Sequence, residues 1–295
     1  GLSRNTRLTF SKPLTRSRSS TLLAEAYLGA QDSQSSMTTG TPTRDAIRTV
    51  GASLTYDFAR PDQSSNLVRL NLEQGLDWLG AQGNSRANGS TTFTVASLDF
   101  TRTAPLASLG SGALSYSFAA QGQYSLGDPL LSAVESSFGG RQFGRFFDSG
   151  SMSGEQALFG SFELRYTLPL SLGFAEPVRA QFYVFTDAGM MRQQGYLQPQ
   201  EARERHAASA GLGVRLGLPH GMNALVEVAR PVSLPTGSTA TLEITHLVLS
   251  VAHYLLRLFA KSHFSTLQSH QISDGRLDVN KGKILSFLHL VGRLF

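Results

Sequence analysis

The residues best equipped for chemistry in this chain are charges set among aromatics. Between Phe138 and Tyr166, Arg141 and Arg145 stand among four phenylalanines, Phe138, Phe143, Phe146 and Phe147, in a glycine- and serine-rich stretch. The tetrapeptide Gly144-Arg145-Phe146-Phe147 forms its tip, and a second motif, Phe185-Thr186-Asp187-Ala188-Gly189, follows in an alternating segment. These residue types offer a guanidinium on a loop and a carboxylate on a strand, which is equipment for electrostatics and not for covalent catalysis. Gly-x-Ser-x-Gly is absent from any strand-to-helix context, and neither His-Glu-x-x-His nor a cysteine pair occurs. Five histidines, His246, His253, His263, His270 and His289, fall at irregular spacings that match no metal-ligand pattern. We therefore expect no enzyme, no metal and no cofactor.

The elements that position these residues read as strands. Long loops without regular structure are uncommon in compact domains and are usually functional, so residues 138–156 are expected to fold back into a lumen as a plug. Around them the chain alternates with period two. Val50, Leu54, Tyr56 and Phe58 oppose Ser53, Thr55 and Asp57. Val68, Leu70, Leu72, Leu76 and Trp78 oppose Arg69, Asn71, Glu73 and Asp77. Leu158, Phe162 and Leu164 oppose Ser161, Glu163 and Arg165, and Val178, Ala180, Phe182 and Val184 oppose Arg179, Gln181, Tyr183 and Asp187. A soluble sandwich also alternates, but it does not hold ionised residues in mid-strand on one face opposite a smooth apolar band. Arg69, Glu73, Glu163, Arg165 and Arg179 are accordingly read as lumen-lining charges. Short turns (Leu218-Pro219-His220-Gly221, Thr103 to Gly112) alternate with long polar loops such as Gln31 to Thr43, the signature of an outer-membrane barrel. Phe58, Trp78, Phe100 and Tyr166 at strand ends suit an interfacial girdle. The fold class expected is all-β, an antiparallel transmembrane β-barrel in contact with outer-membrane lipid.

The bulk numbers agree with that class. Lys and Arg total 26 against 21 Asp and Glu, yet the arginines are scattered singly, without the basic stripe that nucleic-acid binding needs. The longest mainly apolar run, Ile244 to Ala260, is interrupted by His246, His253 and Arg257, so no transmembrane helix is indicated. The sequence opens GLSRNTRLTF without an apolar leader, and an exported protein needs one, so a fragment or processed piece is expected. Past residue 240 the glycine-rich alternation fades. Residues 1–240 are read as barrel and 241–295 as an atypical tail, for which a change of reading frame would account.

One family resemblance joins these motifs. Phe143-Gly144-Arg145, Asp148, Gly150 and Ser153-Gly154, followed by Gly160-Ser161-Phe162-Glu163-Leu164-Arg165-Tyr166 and then Phe185-x-Asp187-x-Gly189, resemble the two-partner secretion transporters of the haemolysin secretion/activation type. These lie within the wider group of barrels carrying polypeptide-transport-associated (POTRA) domains. The resemblance covers about residues 1–235 and implies a roughly sixteen-stranded barrel, of which this chain would hold about ten to eleven strands as its C-terminal part. It further implies that Arg145 pairs with Asp187 to fix the loop, that Gly144 to Phe147 gate the lumen, and that the partner is a secreted exoprotein, a haemolysin or adhesin, exported across the bacterial outer membrane without a cofactor. POTRA domains are expected upstream. A barrel assembly or insertion protein of the same group, and a passive porin, are the alternatives. The chain departs from the family pattern at Phe146, where glycine is usual, and at Ser149, where proline is usual. A bulky side chain at the first of these is expected to strain the tip turn.

Overall fold

The computed structural model describes residues 2–35, 42–171, 178–194, 197, 202–218, 222–235 and 246–251, the last as backbone only. Among the described residues there is no helix. Fourteen strands occur in chain order: β1 (Leu2–Arg16), β2 (Ser20–Ser35), β3 (Thr43–Ala59), β4 (Ser65–Gly75), β5 (Gln82–Gly83), β6 (Thr94–Leu109), β7 (Gly112–Leu126), β8 (Ser136–Phe138), β9 (Met152–Gly154), β10 (Gln156–Leu170), β11 (Val178–Arg192), β12 (Glu204–Gly217), β13 (Asn223–Ser233) and β14 (His246–Val251). The long strands pair antiparallel with their sequence neighbours in the order β1-β2-β3-β4-β6-β7-β10-β11-β12-β13-β14, while β5 pairs β3 and β8 pairs β9 separately. Strands β1 and β14 each pair on one side only, so the described wall is an open arc of a barrel.

The register explains why the alternation was so regular. Even-numbered residues meet even-numbered partners along the arc, as in Leu54↔Leu70↔Leu98 and Tyr56↔Val68↔Phe100. They place Leu54, Leu70, Leu98, Leu158, Val184 and Leu212 on an exposed apolar face. Aromatics gather on this face towards the short turns: Tyr56 stacks on Phe58 at 4.6 Å, and Phe100–Phe118 and Tyr116–Phe162 lie at 6.0 Å. Odd-numbered residues carry the polar groups to the concave side. Such an outward apolar band with aromatic edges is what hydrocarbon requires of a strand wall.

Strands outrun their sequence-based bounds. The segment around Arg7 to Ser11 is a fifteen-residue strand, β1. Strand β2 reaches Ser35 and β3 starts at Thr43, so the Gln31 to Thr43 stretch is strand at both of its ends, and residues 36–41 lie outside the described residues. The backbone ladder is indifferent to the polarity of Gln31, Asp32 and Ser33, which pair with Ile47, Ala46 and Asp45. The stretch from Thr103 is likewise strand up to Leu109, because the register shift between Pro105 and Ala107 absorbs the missing amide of proline. A similar shift follows Pro13. In the other direction β4 stops at Gly75, leaving Leu76, Asp77 and Trp78 in a loop. Gly75 donates to the Phe93 carbonyl and Leu76 to that of Arg48, and the Phe93 ring fills the space where a Cβ at residue 75 would stand.

Glycines on the concave side let aromatic rings lie flat on the wall. Tyr27 on β2 covers Gly51 on β3, and its hydroxyl donates to Glu73 Oε2 (2.6 Å) and Asn71 (2.9 Å) on β4. Tyr183 on β11 covers Gly213 on β12 and donates to Glu227 Oε2 (2.6 Å) on β13. The same three-strand device thus occurs twice, fastening each tyrosine across its neighbour to a carboxylate.

Candidate lumen lock

The segment between β7 and β10, residues 127–155, folds into the concave side, carrying the β8–β9 hairpin. It begins earlier than the predicted 138, and Gln156 already belongs to β10. Phe138, Phe143, Phe146 and Phe147 are buried and pack with Met152, Phe159, Phe185 and Met191 in one apolar cluster. Phe146 meets Phe147 edge-on at 5.1 Å, and Phe138 lies 5.4 Å from Phe159. Phe146 does not strain the turn. The positive φ at this point of the tip belongs to Gly144 (80°), where the Phe138 ring occupies the space a Cβ would need. Gly139 has φ 115° and its amide donates to the Phe143 carbonyl. Phe146 instead packs as a member of the apolar cluster.

This framework delivers Arg145 to the wall. Its main-chain amide donates to Asp187 Oδ2 (2.9 Å), its Nε to the same oxygen (3.0 Å) and its Nη2 to Oδ1 (2.9 Å), a two-pronged guanidinium–carboxylate contact. Ser161 Oγ donates to Asp187 Oδ1 (2.8 Å) and accepts from Arg145 Nη2 (3.1 Å). Nη1 reaches Glu163 Oε2 at 2.7 Å and lies 3.6 Å from Glu227 Oε2. The guanidinium carbon sits 3.5 Å over the Phe185 ring. Asp187 is fully buried. Ser161 and Asp187 face one another in register, five residues into β10, so the contact lies about 17 Å along the strand from its loop end.

Glu163 is the hub of this site. Besides Arg145 it accepts from Arg165 Nε and from Arg215 Nη1 (2.6 Å) and Nη2 (3.0 Å), and Arg215 lies 3.8 Å over the Tyr183 ring. Of the predicted lumen-lining charges, Glu163 and Arg165 thus join the Arg145 network. The others stand apart. Arg69 donates to Thr55 Oγ1 and faces Asp99 across the ladder, Glu73 serves Tyr27 and lies 3.7 Å from Arg7, and Arg179 is exposed nearer the short turns, outside the lock. Of the strand motif, Phe185 lies beneath Arg145 while Gly189 makes room for Phe138. Sequence reasoning did not assign Ser161, Arg215, Tyr183 or Glu227 to the site. All four lie on the inward, odd-numbered face, so that parity was the available signal.

A second buried polar cluster had no such signal. Arg86, from the loop between β4 and β6, reaches inward to Glu135 Oε1 (2.8 Å), to Glu155 and to the Gln194 carbonyl (3.1 Å). Gln193 Nε2 donates to Glu135 Oε1 (3.1 Å). Leu130 and Leu131 seat against Ile47, Phe93 and Val95 beside it, and the Ser90 amide donates to the Pro129 carbonyl at 2.8 Å. The base of the inserted segment is thereby clasped to the long loop between β4 and β6. On the opposite, short-turn side, Asp62 accepts from the Ser64 amide and from Arg102 (both 3.0 Å). The Ser64 hydrogen bonds, with Arg102 adding to them, hold its carboxyl below the usual range.

Comparison with known proteins follows the same line. The family model described as haemolysin secretion/activation protein ShlB/FhaC/HecB matches residues 1–216. Among solved structures, CdiB from Escherichia coli aligns with a TM-score of 0.68 at 16% identity, covering 84% of this chain and 44% of that one. CdiB from Acinetobacter baumannii aligns with a TM-score of 0.58 at 19% identity, covering 79% of this chain and 39% of that one. This chain therefore spans less than half the length of these structures, whose likeness is one of fold. No curated protein sequence matches it.

Proposed function

The chain belongs to the haemolysin secretion/activation family ShlB/FhaC/HecB, two-partner secretion transporters of the bacterial outer membrane, and from that premise we propose that it is the C-terminal part of a pore that passes a large exoprotein, a haemolysin or adhesin, to the cell surface. The inserted segment acts as its gate. Gly144, Arg145, Phe146 and Phe147 form the plug, and Phe185, Asp187 and Gly189 receive it. The observation that carries this reading is the Arg145 contact with Asp187 and Glu163 inside the aromatic cluster, because a fastening of a loop to an inner wall is of use only where the loop must be both held and released. No nucleotide or cofactor enters the scheme. POTRA domains, in the part of the protein outside this chain, would present the exoprotein by adding its strand to a sheet edge.

The test is export. The full-length protein is produced with a candidate exoprotein from the same bacterium in a host lacking both, and surface exoprotein is read by antibody on intact cells. Export that needs the transporter and falls in Arg145→Ala supports the reading. Exoprotein that reaches the surface equally without the transporter refutes it. Correct insertion of unrelated barrels that depends on this protein would favour the assembly reading instead.

A further inference from the structure

Most arginines directed into the lumen have a carboxylate partner: Arg145, Arg165 and Arg215 with Glu163, Arg86 with Glu135 and Glu155, Arg7 with Glu73. Arg141 and Arg179 differ. Neither forms an ion pair among the described residues, and both are exposed, one on the inserted segment and the other near the start of β11. They nonetheless border the same cavity of about 360 Å³, together with Arg215, Gln181 and Asn223. Gly217 and Asn223, at the ends of β12 and β13, place this cavity at the short-turn end of the lumen. In such barrels that end is the periplasmic one.

Three guanidiniums facing one open cavity repel one another unless an anion joins them. Glu163 offsets only Arg215 here, and it is already shared with Arg145 and Arg165. Arg141 and Arg179 each retain a planar fork suited to a carboxylate, while Arg215, held by Glu163 through both Nη atoms, adds its charge beside them. A volume of about 360 Å³ accommodates a few side chains and not a folded domain. An entrance lined by one sign of charge also concentrates the opposite sign from solution.

We propose that the cavity between Arg141, Arg179 and Arg215 is a binding site for the carboxylate side chains of an acidic, unfolded polypeptide segment entering from the short-turn side. The site would hold such a segment directly beneath the plug. Because Arg141 and Arg145 lie on one inserted segment, occupancy at the first bears on the position of the second. This inference rests on the transport reading for its biological meaning, but not for its chemistry.

The experiment uses the full-length protein in detergent micelles and fluorescein-labelled hexaglutamate, with hexaserine and hexalysine as comparison peptides, read by anisotropy at low salt. The variant Arg141→Gln/Arg179→Gln leaves the Arg145 contacts in place. Arg16→Gln/Arg60→Gln removes the same charge from the short-turn end outside the cavity, and heat-modifiable gel mobility verifies that both variants are folded. Hexaglutamate is expected to bind in preference to the other two peptides, with affinity at least tenfold weaker in the cavity variant and changed less than twofold in the control. Equal weakening in both variants would mean diffuse electrostatics and overturn the proposal. So would failure of the unaltered protein to bind hexaglutamate, which would mean that another part of the same protein fills the cavity. Exoprotein that reaches the surface equally without the transporter, with peptide binding intact, would sink the transport reading while leaving this site standing.

Discussion

Replacing Asp187 with asparagine tests how the inserted segment is held, and the structure says how large the effect should be. Asp187 accepts from the Arg145 amide, Nε and Nη2 and from Ser161 Oγ. Asparagine keeps the shape and one acceptor oxygen but removes the charge. Removing one member of a buried ion pair commonly costs about 3–5 kcal/mol, because the other is left uncompensated. Arg145 is not left so, since Glu163 remains at 2.7 Å and Glu227 at 3.6 Å. A cost of about 2–3 kcal/mol follows for Asp187→Asn. Arg145→Ala should reach the full range of about 3–5 kcal/mol, because Asp187 then loses its guanidinium and keeps only Ser161 and the main-chain amide of residue 145.

Against this stands the aromatic cluster. Burying a phenylalanine is worth roughly 1.5–3 kcal/mol, so Phe143, Phe146 and Phe147 together contribute about 5–9 kcal/mol. The apolar contribution is the larger one, and neither single variant should expel the segment. Each should raise its local opening instead. At about 1.4 kcal/mol per factor of ten, Asp187→Asn should speed exchange of the Arg145 amide roughly 30- to 150-fold. Mass-spectrometric hydrogen exchange on the peptide spanning 143–148 of the full-length protein in micelles reads this directly, with the β10 and β11 peptides as internal standards. Unchanged exchange in both variants would show that the ion pair contributes nothing. A wide, permanently conducting pore from Asp187→Asn alone would show that the phenylalanines do not hold the segment.

Other regions make separate predictions. Arg86→Ala leaves Glu135 and Glu155 without their guanidinium, so limited proteolysis of intact cells should cut residues 76–93 faster while the Arg145 amide keeps its protection. Gly51→Ala drives a methyl group into the Tyr27 ring. It should lower the temperature of heat-modifiable unfolding by an amount corresponding to about 1–3 kcal/mol, and Gly213→Ala should do the same beneath Tyr183. Leu70→Arg, on the apolar face, should cost about 2–4 kcal/mol in a folding titration into bilayers, whereas Ser97→Arg on the lumen side should cost far less. Asp62, whose carboxyl is held below the usual range by Ser64 and Arg102, contributes stability that is present above the unfolded pKa of about 4 and is lost as pH falls through the depressed folded value. The protection factor of the Ser64 amide, its exchange rate taken relative to the unfolded chain at the same pH, should therefore fall in acid for the unaltered protein and vary little with pH in Asp62→Asn.

Much of this architecture was legible in the sequence because a barrel wall writes its two faces onto odd and even positions. Leu54, Leu70 and Leu98, or Glu163 and Asp187, needed no tertiary information to be sorted. The motif residues Arg145 and Asp187 were likewise visible, and their pairing followed from family likeness. Strand ends were not legible, because backbone pairing continues through polar residues such as Gln31 to Ser33 once the ladder leaves the hydrocarbon. Gly75, in contrast, ends β4 although Leu76 and Trp78 continue its apolar alternation, since Phe93 folds over it. The clasp at Arg86 could not be found either. Its partners Glu135, Glu155 and the Gln194 carbonyl lie on two other loops, and no local spacing links them.

The two holding points differ in the chemistry needed to undo them. The Arg145 contact lies deep in the lumen beneath aromatics, where water is scarce and an incoming acidic chain could compete for the guanidinium only from the short-turn side. The Arg86 clasp lies at the long-loop end and joins the base of the inserted segment to an outer loop. Released alone, the outer clasp would free residues 76–93 while the plug stayed seated. Released alone, the inner contact would loosen the tip while its base stayed tethered. If the inserted segment is the gate proposed above, an opening wide enough for a polypeptide requires both, so the double variant Arg86→Ala/Arg145→Ala should raise single-channel conductance by more than the sum of the two single increments. Increments that merely add would mean that the two points act on separate segments, and that the inserted chain does not move as one body.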